Sequence, residues 1–333
     1  MKLHLLYPVV AILLFCVAAD ARADEINISA ARVPLNYENH AQRQIGRLEY
    51  RGGLSLGSSD ARFGGLSSLL VSADGKQMLA ASDRGSWFSA KLLYDEAGDL
   101  NGIASTHLAP ITGPDGKALS GRYRDAEALA QGADGAILIA FEQHHRILRF
   151  QPPDRLDAHW LAGEIPERLS APAELAEFNS NAAMEGLAVL EGDGLLILSE
   201  GLDNERAGKP AWLLRRDQDD IRFEYKRAAR FRPTGATRLP DGNILTLERR
   251  YTLIGGVAAL LRIVPEASIR NGAVLDGPEI ARLAPPLTVD NMEGIAVRRD
   301  GAGRTLVYLV SDDNFSVLQR TLLLMFELKP EAD

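Results

Sequence analysis

The sequence is poor in cysteine, in aromatic residues and in basic charge. Its 333 residues include one cysteine, Cys16, and only 6% of them are aromatic. Because Cys16 lies in an N-terminal leader-like segment, the rest of the chain offers no disulfide, no thiolate nucleophile and no cysteine-ligated metal. The formal net charge is −8. This acidic balance argues against nucleic acid and against anionic membrane surfaces as the main partners.

The segment that holds the cysteine has the features of a signal peptide. Lys2 precedes the apolar run Leu5–Ala19, and Ala21–Ala23 resembles a small-residue cleavage site. The run is short for a membrane span, which needs about 20 apolar residues. We therefore expect residues 1–23 to be removed and residues 24–333 to form a single domain. The mature protein would be periplasmic or secreted, with no membrane anchor.

A repeated hairpin pattern runs through this predicted domain. Each copy has a short apolar strand, an Asp-Gly turn, a second apolar strand and a terminal acid. An Asp-Gly pair between two strand-like runs is a strong hairpin signal, because glycine accepts the positive φ that tight turns need. The five copies begin at Gly64, Glu127, Glu185, Thr234 and Glu293.

The spacing of the copies predicts an all-β fold, a β-propeller. Further strand-like runs follow most of the hairpins, and four antiparallel strands make one propeller blade. Five blades are favoured, and the long intervals 84–124 and 143–182 leave a sixth open. The run Ile45–Leu56 is expected to complete the last blade, since a ring of blades must close to bury its faces. A β-sandwich is the alternative.

Acidic residues recur at the two ends of each hairpin. Glu127 and Glu142 are 15 residues apart across one turn, and Glu185 and Glu200 repeat that spacing. Acids in this arrangement lie within cross-strand reach of each other. If these strands are the innermost two of each blade, the acids meet at one mouth of the central channel. The predicted set is Asp83, Glu127, Glu142, Glu185, Glu200, Glu248, Glu293 and Asp312.

Crowded carboxylates need compensation, because like charges raise one another's pKa. Three compensations are open at this point: a hard cation such as Ca²⁺, local arginines, or protonated acids that act in catalysis. Each single acid could also serve only to accept backbone hydrogen bonds at a strand end.

Three segments around these acids resemble a known family. Asp125-Ala-Glu127, Met184-Glu185-Gly186 and Asn291-Met-Glu293-Gly294 are similar to the repeated Glu-Gly motif of the "esterase-like activity of phytase" proteins, which are phytase-like exported bacterial proteins. The strand ends at Ser82-Asp83 and Ser311-Asp312 also look like that family's acid motifs. The resemblance runs from about Ile45 to Leu328. It implies a propeller, an exported location and hydrolysis of phosphoesters or related esters at acidic residues.

Together, the acid ring and the resemblance lead to a first hypothesis: a hydrolase of a small anionic or ester substrate that uses carboxylate-held Ca²⁺. The metal ligands would be Glu127, Glu185 and Glu293, with Glu200 or Asp312. Arg84, Arg249 or Arg250 would orient the anionic group, since arginine suits phosphate. The general base would be Glu142 or His144. A non-catalytic propeller that binds a ligand or an envelope protein is the alternative, and a lactonase-type propeller is a third.

Overall fold

A computed structural model describes residues 22–178, 184–201, 208–253 and 255–331. The predicted leader therefore lies almost wholly outside the described residues, and so does Cys16. In the described ranges no helix has the length and apolarity that a membrane crossing requires.

The described residues form an all-β structure with one short α-helix and four 3₁₀ turns. The helix α1 is Ala158–Leu161, and the turns are Gly121–Tyr123, Ala173–Glu177, Glu191–Asp193 and Glu266–Ser268. In chain order the strands are β1 (Asp24–Glu25), β2 (Ser29–Arg32), β3 (Gln44–Ile45), β4 (Leu48–Gly57), β5 (Leu66–Val71), β6 (Gln77–Ser82), β7 (Ser86–Tyr94), β8 (Leu100–Pro110), β9 (Ala126–Gln131), β10 (Ile137–Phe141), β11 (Arg146–Phe150), β12 (Glu167–Leu169), β13 (Gly186–Val189), β14 (Leu195–Leu198), β15 (Gly208–Leu214), β16 (Ile221–Lys226), β17 (Arg232–Arg238), β18 (Ile244–Thr252), β19 (Gly256–Val264), β20 (Val274–Leu275), β21 (Glu279–Leu283), β22 (Met292–Arg299), β23 (Thr305–Ser311) and β24 (Thr321–Leu328).

These strands form five sheets, which are the five blades of a β-propeller. Blade 1 has the order β1-β8-β7-β6-β5, and blade 2 has β12-β11-β10-β9. Blade 3 has β13-β14-β15-β16-β20, and blade 4 has β17-β18-β19-β21. Blade 5 has β2-β4-β24-β23-β22, so the N-terminal strand β4 completes the sheet of the last three strands. This confirms the predicted closure by the run near residues 45–56.

The innermost strands β5, β9, β13, β17 and β22 contact one another in a closed ring. The two intervals that had left a sixth blade open hold other structure: the long β7–β8 hairpin, and β11, α1 and β12. Five blades are therefore what the described residues form.

Hydrophobic cores lie between neighbouring blades. Trp87 of blade 1 packs edge-to-face on Phe150 of blade 2, with ring centroids 5.3 Å apart. Between blades 5 and 1 the hydroxyls of Tyr94 and Tyr308 are 3.0 Å apart. Such a core at each blade interface means that every blade depends on both neighbours for burial of its faces.

The Asp-Gly turns were predicted to place glycine at positive φ, and three do. Gly75, Gly135 and Gly242 have φ values of 74°, 85° and 92°. In blade 3 the positive φ falls instead on Gly192 (72°) and Asp193 (62°), and in blade 5 it falls on Gly303 (81°). The hairpins form in every case, but in these two blades the glycine of the Asp-Gly pair does not take the left-handed conformation.

Candidate functional site

The inner hairpin of each blade carries an irregularity at the same place. In blades 1, 2, 4 and 5 the pairing of the innermost strand with the next strand skips one residue. Such β-bulges redirect a side chain and are frequent beside functional sites. In blade 3 the equivalent residue, Glu185, directly precedes β13 and donates its N–H to the carbonyl of Leu198 at 3.0 Å. The five bulge positions are Ser67, Glu127, Glu185, Thr234 and Glu293.

These bulge residues line one narrow cavity on the propeller axis. Its volume is about 10 Å³, which is the space for one water molecule or one ion. The next residue in each strand is small: Ser68, Ala128, Gly186, Gly235 or Gly294. A Cβ on Gly294 would lie 2.8 Å from the carbonyl carbon of Ser68. Gly294 of the Glu293-Gly294 motif is therefore needed for β22 and β5 to approach so closely.

A second ring of residues lies one step beyond the hairpin ladders. The backbone N–H of Asp83 donates to Gly65 O at 2.9 Å, and the N–H of Glu142 donates to Asp125 O at 2.8 Å. The N–H of Asp312 donates to Asn291 O in the same way. In blade 4 the residue at this position is Arg249, which pairs with Arg232 in the strand register. The ring is thus four acids, with Glu200 in blade 3, and one arginine.

Glu248 does not join the mouth. Its side chain is fully buried and accepts hydrogen bonds from Tyr225 at 2.6 Å and from the N–H of Ala228 at 2.9 Å. Arg262 forms an ion pair with it at 3.1 Å. Glu248 therefore has a structural role between blades 3 and 4. Sequence alignment placed it with the ring acids, but the strand register gives that position to its neighbour Arg249.

The acids at the mouth form one interacting cluster around blade 2. Carboxylate oxygens of Asp125, Glu127 and Glu142 all lie within 4.8 Å of one another. Glu185 extends this group by a hydrogen bond to Glu142. Asp125 was not among the metal ligands predicted from the sequence. Its signal was the Asp125-x-Glu127 spacing, which recurs as Asn291-x-Glu293.

Burial and mutual repulsion raise the pKa values of the cluster. Burial is the largest cause for Glu127, Glu185 and Glu293, and each has a pKa well above the ordinary value of 4.5. Burial and then repulsion from Asp312 and Asp125 raise the pKa of Asp83 to about 7. The pKa of Asp312 is raised to about 6, again first by burial. The mouth of the channel therefore disfavours the state in which all of these acids are deprotonated and lack a cationic partner.

Arg249 is a cation that reaches into this cluster. Its Nε lies 3.2 Å from Oε1 of Glu293, which also accepts a hydrogen bond from Asn291 Nδ2 at 2.9 Å. The charges of Glu293, Glu185 and Asp312 raise the pKa of Arg249 against its burial. Glu293 is therefore already ion-paired, whereas Asp125, Glu127 and Glu142 are the acids whose oxygens converge.

The other predicted residues each contact a neighbouring side chain. Glu200 forms an ion pair with Arg232 of blade 4. Arg84 is exposed and stacks on the ring of Phe315, with its guanidinium carbon 3.3 Å from the ring centre. Arg250 stacks on Phe231 at 5.0 Å.

His144 lies in the tight turn between β10 and β11, two residues after Glu142, and its ring packs on Tyr123 with centroids 4.3 Å apart. Burial and the nearby arginines lower the pKa of His144 below its ordinary value of 6.5.

Several solved structures are similar to this chain. A virginiamycin B lyase from Staphylococcus aureus has 10% identity and a TM-score of 0.42, over 91% of this chain and 100% of that one. A putative gluconolactonase has 12% identity and a TM-score of 0.44, over 95% of each chain. An aldose sugar dehydrogenase from Streptomyces coelicolor has 11% identity and a TM-score of 0.42, over 91% of this chain and 98% of that one.

No curated protein sequence matches this chain. The family comparison does find a match. The family described as "Phytase-like: Esterase-like activity of phytase" matches residues 61–315, which is more than half of the chain. The match covers all five inner hairpins and the whole acid cluster. The chain therefore belongs to this phytase-like family.

Proposed function

We propose that the protein is an exported phytase-like hydrolase of a phosphoester or related ester that works with a calcium ion. The observation that carries this proposal is the convergence of Asp125, Glu127 and Glu142 within 4.8 Å in a mouth that raises carboxylate pKa values. Family membership supports the hydrolase class. The leader-like residues 1–23 support the exported location.

The residues present fit a hard divalent cation. Calcium takes oxygen ligands, and carboxylates are its preferred protein donors. Three convergent carboxylates offer such a set, and a bound cation would relieve the repulsion that now raises the pKa values around Glu127. In this proposal Asp125, Glu127 and Glu142 would hold the ion. They take the place of the ligands expected from the sequence, which were Glu127, Glu185 and Glu293 with Glu200 or Asp312.

When bound, calcium would polarise a substrate oxygen and lower the pKa of a water molecule. The chain's own residues supply the rest. Glu185, whose pKa is raised, donates a hydrogen bond from its carboxyl group to Glu142 and so fixes that carboxylate. Gln143 donates from Nε2 to Asp125 Oδ2 at 2.5 Å and fixes the second. His144, with its lowered pKa, is neutral near pH 7 and can accept a proton. Arg249 offers positive charge at the mouth for an anionic group.

The test is an assay of the pure protein on phosphomonoesters, phosphodiesters, carboxylic esters and lactones, with calcium and with chelator. We expect hydrolysis of at least one ester class that chelator abolishes and calcium restores. Glu127→Gln should lower the activity by roughly tenfold or more, since ligand loss weakens metal sites strongly. Glu167→Gln, an exposed acid on the outer strand β12, is the matched control and should leave it unchanged.

Calcium titration of thermal stability separates the remaining outcomes. A ligand that binds the folded state raises Tm with its concentration, and this rise should disappear in Glu127→Gln. A rise in Tm without hydrolysis of any ester would favour the alternative, a calcium-binding recognition propeller. The absence of both ester hydrolysis and a calcium-dependent rise in Tm would refute the proposal.

A further inference from the structure

A second cavity lies beside the acid cluster and has the opposite charge. Its volume is about 720 Å³, and it opens between the β10–β11 turn of blade 2 and residues 168–178. This size is in the range of sites for small organic ligands. Arg122, Arg146, Arg168 and His144 form the cationic part of its lining, and none of the described lining residues is an acid.

Arg146 is the buried residue of this cationic lining. The residue is only 5% exposed, and its guanidinium stacks on Phe141 at 3.9 Å. Its hydrogen bonds go to the carbonyl oxygens of His144, at 2.9 Å, and of Tyr123. Among the described residues no carboxylate forms an ion pair with it. A buried cation paired only with carbonyl groups is costly, and a bound anion would compensate it.

Arg168 adds a second positive charge to the same space. Its side chain is exposed on the edge strand β12. Its charge acts on Arg146, whose pKa is lowered to about 10, first by burial and then by Arg168. Two guanidinium groups that line the same cavity offer a site for an oxyanion, because arginine binds phosphate and carboxylate groups in bidentate fashion.

Part of the cavity lining is apolar. Pro172, Phe178 and the buried Leu175 belong to it. Cationic and apolar groups around one cavity suit a ligand that has a compact anionic group and an apolar body.

We propose that this pocket binds a small organic oxyanion, with its phosphate-like group on Arg146 and Arg168 and its apolar body on Pro172 and Phe178. Gln143 lines the pocket and also donates to Asp125, so the site directly adjoins the acid cluster. This proposal goes beyond the proposed hydrolysis, because binding of the anion requires neither calcium nor turnover.

The experiment is isothermal titration calorimetry of the full protein with phenylphosphonate, which has no hydrolysable ester bond. Chelator is present, and the ionic strength is constant. We expect saturable binding that is tighter than for inorganic phosphate, and no binding of benzyl alcohol. Arg168→Gln should weaken phenylphosphonate binding about tenfold or more, the loss expected for a charge-assisted contact. Because Arg168 is exposed, this variant should fold normally.

Arg299→Gln is the control, since Arg299 is an exposed arginine of blade 5 and the substitution changes the net charge equally. Its binding should equal that of wild type. Absence of saturable binding, or equal affinity in Arg168→Gln and wild type, would overturn the proposal. Equal affinity for phosphate and phenylphosphonate would overturn the proposed contact of the ligand's apolar body with Pro172 and Phe178. If phenylphosphonate binds while every ester assay fails, the proposed hydrolysis falls and this pocket stands.

Discussion

At the scale of single residues, the mouth of the channel is governed by how each acid is compensated. Glu248 has Arg262 and Tyr225, and Glu293 has Arg249 and Asn291. These acids keep fixed partners. Around Glu127 the neighbouring groups are mostly other acids, which raise its pKa. The difference between the two situations is what separates a structural carboxylate from one that is available to a ligand.

Asp83 gives a testable dependence of stability on pH. Its folded-state pKa is about 7, against an ordinary value of 3.8. Between these values the folded protein binds more protons than the unfolded protein, so this group's contribution to stability falls as pH rises through that window. In chelator, we expect the Tm difference between Asp83→Asn and wild type to grow in favour of the variant from pH 5 to pH 8. Differential scanning calorimetry measures it.

The control is Glu96→Gln, which removes an exposed carboxylate far from the cluster. It should follow the wild-type curve. A parallel curve for Asp83→Asn would mean that the proton bound near pH 7 belongs elsewhere.

At the scale of elements, the β-bulge decides what each hairpin presents to the channel. The bulge residue projects into the mouth, and the small residue after it permits close packing of the strands. The two positions therefore act as a pair. Gly294 shows the constraint: a Cβ there would lie 2.5 Å from Val310 Cγ1 and 2.8 Å from the carbonyl carbon of Ser68.

Gly294→Ala should therefore destabilise the propeller by about 1–3 kcal/mol, the usual cost of overpacking a close-packed interior. Urea unfolding at equilibrium gives the free energy. Gly301→Ala is the matched control, because a Cβ at Gly301 meets no atom within 4 Å. That change should be neutral or slightly stabilising. Equal effects of the two substitutions would contradict the close-packing argument.

The sequence predicted the hairpins, but it predicted the register of their strands only in part. Asp-Gly turns and alternating apolar runs predicted five blades and the strand that closes the ring. The sequence repeat put Glu248 with the ring acids, although it follows Thr234 by only 14 residues. Arg249 follows Thr234 by the same 15 residues that separate Glu127 from Glu142, and the strand register gives the position to Arg249. A shift of one residue exchanges the two faces of a strand. The prediction aligned the blades by residue type, and so it chose the acid Glu248 over the neighbouring Arg249, which is the single cation of the ring.

At the scale of the whole molecule, closure depends on one sheet built from both parts of the chain. Strand β4 pairs with β24 over most of its length, from Leu48↔Leu328 to Leu56↔Thr321. Leu54 is fully buried in the core between blades 5 and 1. This position therefore couples the last blade to the first.

Leu54→Ala should cost about 2–5 kcal/mol, as expected for truncation of a buried leucine. The unfolding transition is expected to move as a whole, since blades that share cores unfold together. Leu253→Ala is the same chemical change at a residue that is 92% exposed, and it should leave the free energy of unfolding nearly unchanged. A loss of stability at Leu54 no larger than that at Leu253 would contradict a closing role for β4.

The pairing of β4 with β24 also has a consequence for the rate at which the fold is reached. Contacts between residues as far apart as Leu48 and Leu328 require the closure of a very long loop, which slows folding. Until that contact forms, β24 has an unpaired edge, and such edges promote aggregation of folding intermediates. We therefore expect refolding from denaturant to be slow and to give a lower yield as protein concentration rises.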